Sequence, residues 1–408
     1  MDYSVLKQKI EGISPVPRLL TVMVVAYLIQ ALVSNPGLPS LPIALYLKET
    51  LNLSATDTTL IGIVAMLPWT IKPVWGVICD SFTVFGSQFR AYFALCYGFA
   101  AIALLSLVIV PTPGVAMLTI SAVLVSCGIA FSDVVTDRLM VIEGRRTQQT
   151  AILQAAQWTA VSFGAALASW AGGWFAQGRS LAWVGGVTVG VLLIGGGVIW
   201  WALPNSAEPA IAPSLRQTLK TVKAEFKNRQ ILAILGFLVL LGFSPAPPFL
   251  YYARDTLKLS EQALGTLGAV SALSGGVGAI AFGFVAKRLP RKSLLVGAVG
   301  MNAMSVLGLL LARSPESAVL AFVLIGFTGM LATLGVLEIA AQVCSVTAAA
   351  TSFALILSVS NLAMLLGGAI GAWLYDQQVS YESLVLLGVC CTGLTGFLIP
   401  WLKLEETP

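Results

Sequence analysis

The chain has 408 residues, 57% hydrophobic and 10% charged, with a formal net charge of +5 and no histidine. A soluble domain carries about 25% charged residues, so a water-exposed surface of ordinary polarity is excluded, and with it a soluble enzyme, a nucleic-acid binder and a disordered chain. A mean hydropathy of +0.90 turns the apolar material toward lipid. Without histidine there is no imidazole catalysis, histidine metal ligation or histidine proton relay. The cysteines (Cys79, Cys96, Cys127, Cys344, Cys390 and Cys391) all lie in apolar stretches, as small core residues and not as a disulfide or zinc framework.

The first apolar run opens after Arg18 and meets no charge until Lys48. It is too long for a signal-peptide core and lacks a small-residue cleavage pattern, which predicts a retained first helix. Runs of about 20 residues, enough to cross roughly 30 Å of hydrocarbon, follow in chain order. They lie near 58–79, 91–110, 115–142, 149–176, 181–203, 230–252, 262–286, 293–312, 317–342, 349–374 and 383–402. The uncharged stretch 91–132 exceeds one span, and Pro111-Thr-Pro113-Gly114 divides it. The expectation is an all-α polytopic membrane protein of twelve helices.

With the N-terminus inside, sixteen basic residues fall in inner segments and five (Lys48, Arg179, Arg254, Lys258 and Arg313) in outer loops, while Lys72 and Arg138 lie within spans. This bias predicts cytoplasmic termini in a plasma membrane, the inner membrane of a bacterium.

Tyr46-Leu-Lys-Glu-Thr-Leu-Asn-Leu-Ser54 recurs 206 residues later as Tyr252-Ala-Arg-Asp-Thr-Leu-Lys-Leu-Ser260, and the same offset carries Pro39 onto Pro245, Pro42 onto Pro248 and Gly62 onto Gly268. Two six-helix repeats of like orientation follow, residues 1–203 and 230–408, joined by a basic cytoplasmic linker 204–229. The repeated prolines predict irregular backbone near the outer ends of helices 1 and 7, either beside a polar cavity or as simple kinks in packed protein.

Five ionisable residues remain within spans: Lys72, Asp133, Asp137, Arg138 and Glu338. Each costs about 2.5–3.5 kcal/mol at a helix centre, so positions facing lipid are disfavoured. At 1.5 Å per residue, Lys72, Asp133, Asp137, Gln154, Gln157 and Trp158 all lie roughly 9–15 Å in from the cytoplasmic side. Asp133 and Asp137 share a helix face, as do Gln154 and Trp158. One layer of a cation, two carboxylates, two amides and an indole reads as a ligand-lined cavity, or else as ion pairs that only hold the bundle together. Carboxylates this close cannot all ionise in low dielectric, so Asp133, Asp137 or Glu338 is a candidate to exchange a coupling proton. Asp-x-x-x-Asp alone is too little for a Mg²⁺-diphosphate site. Gly195-Gly-Gly197 and Gly367-Gly368 lie inside spans, as close-packing surfaces and not phosphate loops. No cofactor, metal or catalytic residue is expected.

Three stretches carry a resemblance: Pro68-Trp-Thr-Ile-Lys-Pro-Val-Trp-Gly-Val-Ile-Cys-Asp80, Phe131-Ser-Asp-Val-Val-Thr-Asp-Arg-Leu-Met-Val-Ile-Glu143 with Arg146, and Leu153-Gln-Ala-Ala-Gln-Trp158. They are similar to the folate-biopterin transporter family, a branch of the major facilitator superfamily. The resemblance is strongest over 27–175 and implies uptake of folates or pterins, and it points to Lys72, Asp133 and Asp137, the positions already marked on physical grounds. A pterin edge would meet an aspartate, its ring would stack on Trp158, and Lys72 or Arg138 would meet a glutamyl carboxylate. Arg138 stands where the family has a small residue, and Gly86-Ser-Gln-Phe-Arg90 departs from its usual loop. A muropeptide-type carrier has a similar pattern, and a membrane-embedded pterin receptor could use the same cavity without turnover. The superfamily's loop signature matches Gly76, Asp80 and Arg90, which implies an inner latch with Glu143, Arg145 and Arg146 at the end of helix 4. Lipid, a small-molecule substrate and protons are the expected partners of a monomer, with no nucleic acid.

Overall fold

A computed structural model describes residues 15–34, 36–81, 89–147, 150–178, 180–203, 229–285, 289–343 and 349–402. The first half runs through α1 (Pro15–Val33), α2 (Ser40–Leu45, continued by a π-helical turn Tyr46–Thr50), α3 (Ala55–Thr70), α4 (Lys72–Ser81), α5 (Arg90–Ile109), α6 (Val115–Thr147), α7 (Thr150–Ala176) and α8 (Leu181–Ala202). The second half continues with α9 (Arg229–Gly242), α10 (Phe249–Asp255), α11 (Glu261–Val285), α12 (Arg291–Gly308), α13 (Pro315–Val343), α14 (Ala349–Asp376) and α15 (Tyr381–Thr395). Among the described residues nine helices are long and apolar enough to cross a membrane, the apolar stretches Pro17–Val33 and Leu232–Gly242 are shorter, and no strand occurs. The expected linker 204–229 lies outside the described residues but for Arg229 at the start of α9.

Proline decides where the long spans break. Pro39 and Pro42 stand where α1 gives way to α2, and Pro245, Pro247 and Pro248 where α9 gives way to α10. A proline removes a donor and crowds the carbonyl four residues back. The irregular backbone expected near the ends of helices 1 and 7 is therefore present.

The repeat is geometric as well as textual. Leu51 N–H donates to Tyr46 O (3.0 Å) and Leu53 N–H to Leu47 O (3.0 Å); their counterparts Leu257 to Tyr252 O (3.2 Å) and Leu259 to Ala253 O (2.9 Å) do the same. The turn residues Asn52 and Lys258, also 206 apart, share the left-handed conformation at φ 52° and 54°. Such αL endings satisfy carbonyls that the last helical turn leaves unpaired. Each half has its own packed interior: one buried cluster draws only on residues between Leu19 and Leu203, another only on residues between Ile234 and Leu402.

The halves meet closely at the rim formed by these two turns. Here α7 crosses α11 backbone to backbone, and a Cβ on Gly265 would stand 2.7 Å from the Cα of Gly173. Gly276 and Gly283 follow Gly265 on nearly the same face of α11, eleven and eighteen residues on. A Cβ at Gly276 would find Ser162 at 3.8 Å, and one at Gly283 nothing within 4 Å among the described residues. The two helices therefore separate with distance from the rim.

Candidate functional site

The site starts from a broken helix. Sequence reads 58–79 as one span, and Ala55–Cys79 is one apolar span, interrupted where α3 ends at Thr70 and α4 begins at Lys72, with Ile71 between them at φ −105°, ψ 20°. Pro73 has no N–H for the carbonyl of Trp69, so the ladder stops there. The neighbouring carbonyls find other donors: Trp75 Nε1 gives its proton to Pro68 O (2.8 Å), and Thr70 Oγ1 to Leu67 O (2.7 Å). Irregular backbone at membrane depth is tolerated only where protein or a cavity covers it.

The break places Lys72 in the first turn of α4, aimed at α6. Its Nζ lies 2.6 Å from Asp133 Oδ2 and 4.7 Å from the centre of the Trp69 ring. Asp133 is 4% exposed and the Lys72 side chain 22%, so the pair is shut away on the acid's side and reachable on the cation's. Trp75 of α4 stacks on Phe131 of α6 (5.5 Å), with Tyr92 edge-on to the same ring (5.3 Å), which fixes α4 against α6 two residues from Asp133.

One turn along α6, Asp137 Oδ1 accepts from the phenol of Tyr27 on α1 at 2.8 Å. The two carboxylates are thus served differently, Asp133 by a cation and Asp137 by a neutral donor. Gln157 of α7 is 2% exposed, and its amide donates to Met23 Sδ of α1 at 3.4 Å.

Lys72, Asp133 and Asp137 come together as the sequence predicts. Gln157 joins them through α1, since Met23 and Tyr27 are one turn apart. Arg138 turns elsewhere, donating to Cys79 Sγ at 3.9 Å with its guanidinium 5.5 Å from the Phe89 ring. Trp158 is 44% exposed. It lies one turn from Ser162, on the α7 face that meets Gly276 and then parts from α11.

Of the expected inner latch, Arg90 donates from Nε to Trp200 O (2.7 Å) and lies over the Trp200 ring (4.8 Å), and Glu143 is partly exposed in the last turns of α6. The side chains of Asp80, Arg145, Arg146, Gln154 and Glu338 lie outside the described residues.

Two features escaped the sequence. Tyr27 gives no signal of its own, because tyrosine is at home in spans. The ion pairs at the rim are the second: the repeat marks the turns that carry them but not which charges meet. Lys48 Nζ lies 2.6 Å from Asp255 Oδ1, and Arg254 Nε 2.6 Å from Glu49 Oε1, with Arg254 Nη2 also 2.8 Å from Glu261 Oε1. The bond to Glu49 and the charge of Glu261 outweigh burial and hold the guanidinium's pKa above its ordinary value.

Comparison with known proteins adds the family. The sequence pattern of the BT1 family matches residues 34–404. The chain is 26% identical over 389 residues to the "Folate-biopterin transporter" of Synechocystis sp. (strain ATCC 27184 / PCC 6803 / Kazusa), covering 90% of this chain and 78% of that protein. It is 23% identical over 405 residues to the "Probable folate-biopterin transporter 7" of Arabidopsis thaliana, covering 90% and 89%. Among solved structures, the nucleoside transporter NupG superposes with a TM-score of 0.74 at 13% identity, over 95% of this chain and all (100%) of that one. A D-xylose-proton symporter superposes at 0.68 and 14% identity, over 98% of each chain. At that identity the likeness shows the fold alone, the major facilitator fold. The broken α3–α4 helix bearing Lys72 thus stands against the paired aspartates of α6 on a major facilitator fold, and with the family pattern spanning nearly the whole length, the chain belongs to the BT1 family.

Proposed function

We propose that this protein is a secondary active transporter of folate or pterin compounds, working by alternating access and coupled to protons. The observation that carries the reading is the division of labour on α6, where Lys72 is in direct contact with Asp133 and, among the described residues, the phenol of Tyr27 donates to Asp137. One buried carboxylate in direct contact with a cation beside another held by a neutral donor is an arrangement in which the second can trade its proton with water or cargo. The names of the relatives, folate-biopterin transporters, support the cargo. So does the chemistry: an aspartate suits the donor edge of a pterin, Trp158 its flat ring, and Lys72 a glutamyl carboxylate.

In this reading residues 1–203 and 230–408 are two bundles joined by the cytoplasmic linker 204–229. The rim faces outward, the termini are cytoplasmic, and a monomer sits in the plasma membrane. Support comes from the separate buried clusters and from the bias of Lys and Arg toward the far side of the rim. The tight α7–α11 crossing at the rim and its divergence beyond suit a carrier standing open to the inside.

The test is uptake into proteoliposomes under an imposed pH gradient, with a pterin, a folate and a muropeptide compared. Gradient-driven pterin or folate accumulation supports the proposal. Muropeptide uptake alone would replace the cargo, and binding without counterflow would leave a receptor.

A further inference from the structure

The repeat equates Lys48 with Arg254 and Glu49 with Asp255, yet neither cation is paired with the acid beside it. Each crosses to the other half: Lys48 to Asp255, Arg254 to Glu49, both at 2.6 Å. Adjacent residues on a helix do not face each other, so neither cation reaches the acid next to it, whereas two halves related by a pseudo-twofold axis can exchange these partners. This is the self-complementary contact of a symmetric dimer, made within one chain. Around it the rim is closed by other cross-half contacts. Asp376, the last residue of α14, accepts from the Ala55 and Thr56 N–H groups at 3.2 and 2.8 Å, so the second half supplies a carboxylate to the N-terminus of α3. The Tyr251 hydroxyl lies 2.8 Å from Ser54 O and 2.7 Å from Thr58 Oγ1, and its ring lies 4.6 Å under Lys48 Nζ.

We propose that the crossed pairs Lys48–Asp255 and Arg254–Glu49, with Asp376 on the start of α3, form the outer gate of the carrier, breaking and remaking as one unit as the halves rock. This rests on the alternating-access reading. A rocking of the halves about an axis perpendicular to the pseudo-twofold lengthens both pairs together, because each is the other's image. The gate is also releasable. Asp255 is already 54% exposed and Glu49 40%, so water takes over their solvation at little cost. Arg254 keeps Glu261 and the Leu259 carbonyl (2.6 Å) within its own half.

The test is a distance measured across the rim of the full chain in lipid vesicles. Spin labels are carried on bio-orthogonal amino acids at the exposed, repeat-equivalent Thr50 and Thr256. The parent should show mainly one short distance. Glu49→Gln with Asp255→Asn should raise the ratio of long to short distances about tenfold. Lys48→Glu alone should also open the rim, and adding Asp255→Lys should close it again. An unchanged ratio in the neutralised chain overturns the gate, as does a charge-swapped chain as open as Lys48→Glu. If the neutralised chain does not fold, the swapped pair decides, since it keeps the charge count. The distance needs no cargo. A gate that opens in a chain with no pterin or folate uptake removes the cargo and keeps the gate, whereas a rim that stays shut while uptake proceeds removes only the gate.

Discussion

Lys72 meets Asp133 at 2.6 Å from a helical turn that exists because Pro73, the next residue, stops the ladder of α3. With Asp133 only 4% exposed, taking the cation away leaves a buried charge without a counterion. Lys72→Met should therefore destabilise the protein by about 3–5 kcal/mol, while Lys72→Met with Asp133→Leu recovers most of the loss. Thermal unfolding in detergent measures both. A double variant as unstable as the single would mean that the pair does not act as a unit.

Tyr27→Phe removes a single oxygen, the donor to Asp137. A hydrogen bond to an ionised group is worth about 1.5–3 kcal/mol, and this one favours the ionised carboxylate. Its loss should move the pH profile of uptake toward higher pH while the fold is kept. Asp137→Asn should abolish pH-driven accumulation yet spare exchange of cargo across the membrane. If Tyr27→Phe changes only the maximal rate and leaves the profile in place, Asp137 is not the coupling group.

Charges in apolar runs are legible because water, a partner or lipid must account for them, which is how Lys72, Asp133 and Asp137 stand out in sequence. The rim was legible through the repeat, since Tyr46–Ser54 and Tyr252–Ser260 fold into the same αL-ended turn. Pairing across 205 and 207 residues was not. Sequence places each charge in a loop and says nothing of which half it reaches. Nor was the break at Ile71 read, although Pro73 was in view, because membrane helices often carry proline without breaking. Arg138 shows the limit of depth as a guide. It follows Asp137 directly, but a residue one step on points about 100° away, and Arg138 reaches Cys79 and Phe89.

Gly265 tests whether the rim must close so tightly. Its missing Cβ would lie 2.5 Å from Ser169 O and 2.7 Å from Gly173 Cα, both unable to yield without moving α7. Gly265→Val should part α7 from α11 at the rim and slow uptake at least tenfold. Gly283→Val, at a position with nothing within 4 Å among the described residues, should be tolerated. Labelling of the rim by a membrane-impermeant reagent, together with uptake, checks the pair, and equal effects of the two substitutions would show that the crossing is not where the halves close.

Trp158 decides between a cargo platform and a lipid anchor, since a 44% exposed indole in a span could be either. Its place one turn from Ser162, which lies across from Gly276 of α11, favours the platform. A flat heterocycle stacked there should lose about 1–3 kcal/mol of affinity in Trp158→Ala, roughly a five- to 150-fold rise in Kd. Trp158→Phe, which keeps a ring, should lose less. Lys72 offers the internal comparison. Lys72→Ala with Asp133→Asn removes both members of the ion pair together, and it should weaken glutamylated folates more than unconjugated pterins, because only the former bring a carboxylate to the ammonium. Trp158→Ala should weaken both alike, since both carry the ring. Titration of pterin and folate against each well-folded variant reads the two effects separately. If Trp158→Ala leaves both affinities unchanged, the indole faces lipid and the heterocycle binds elsewhere. If the paired Lys72 and Asp133 substitutions act on both ligands equally, the ammonium serves the fold and not the glutamate.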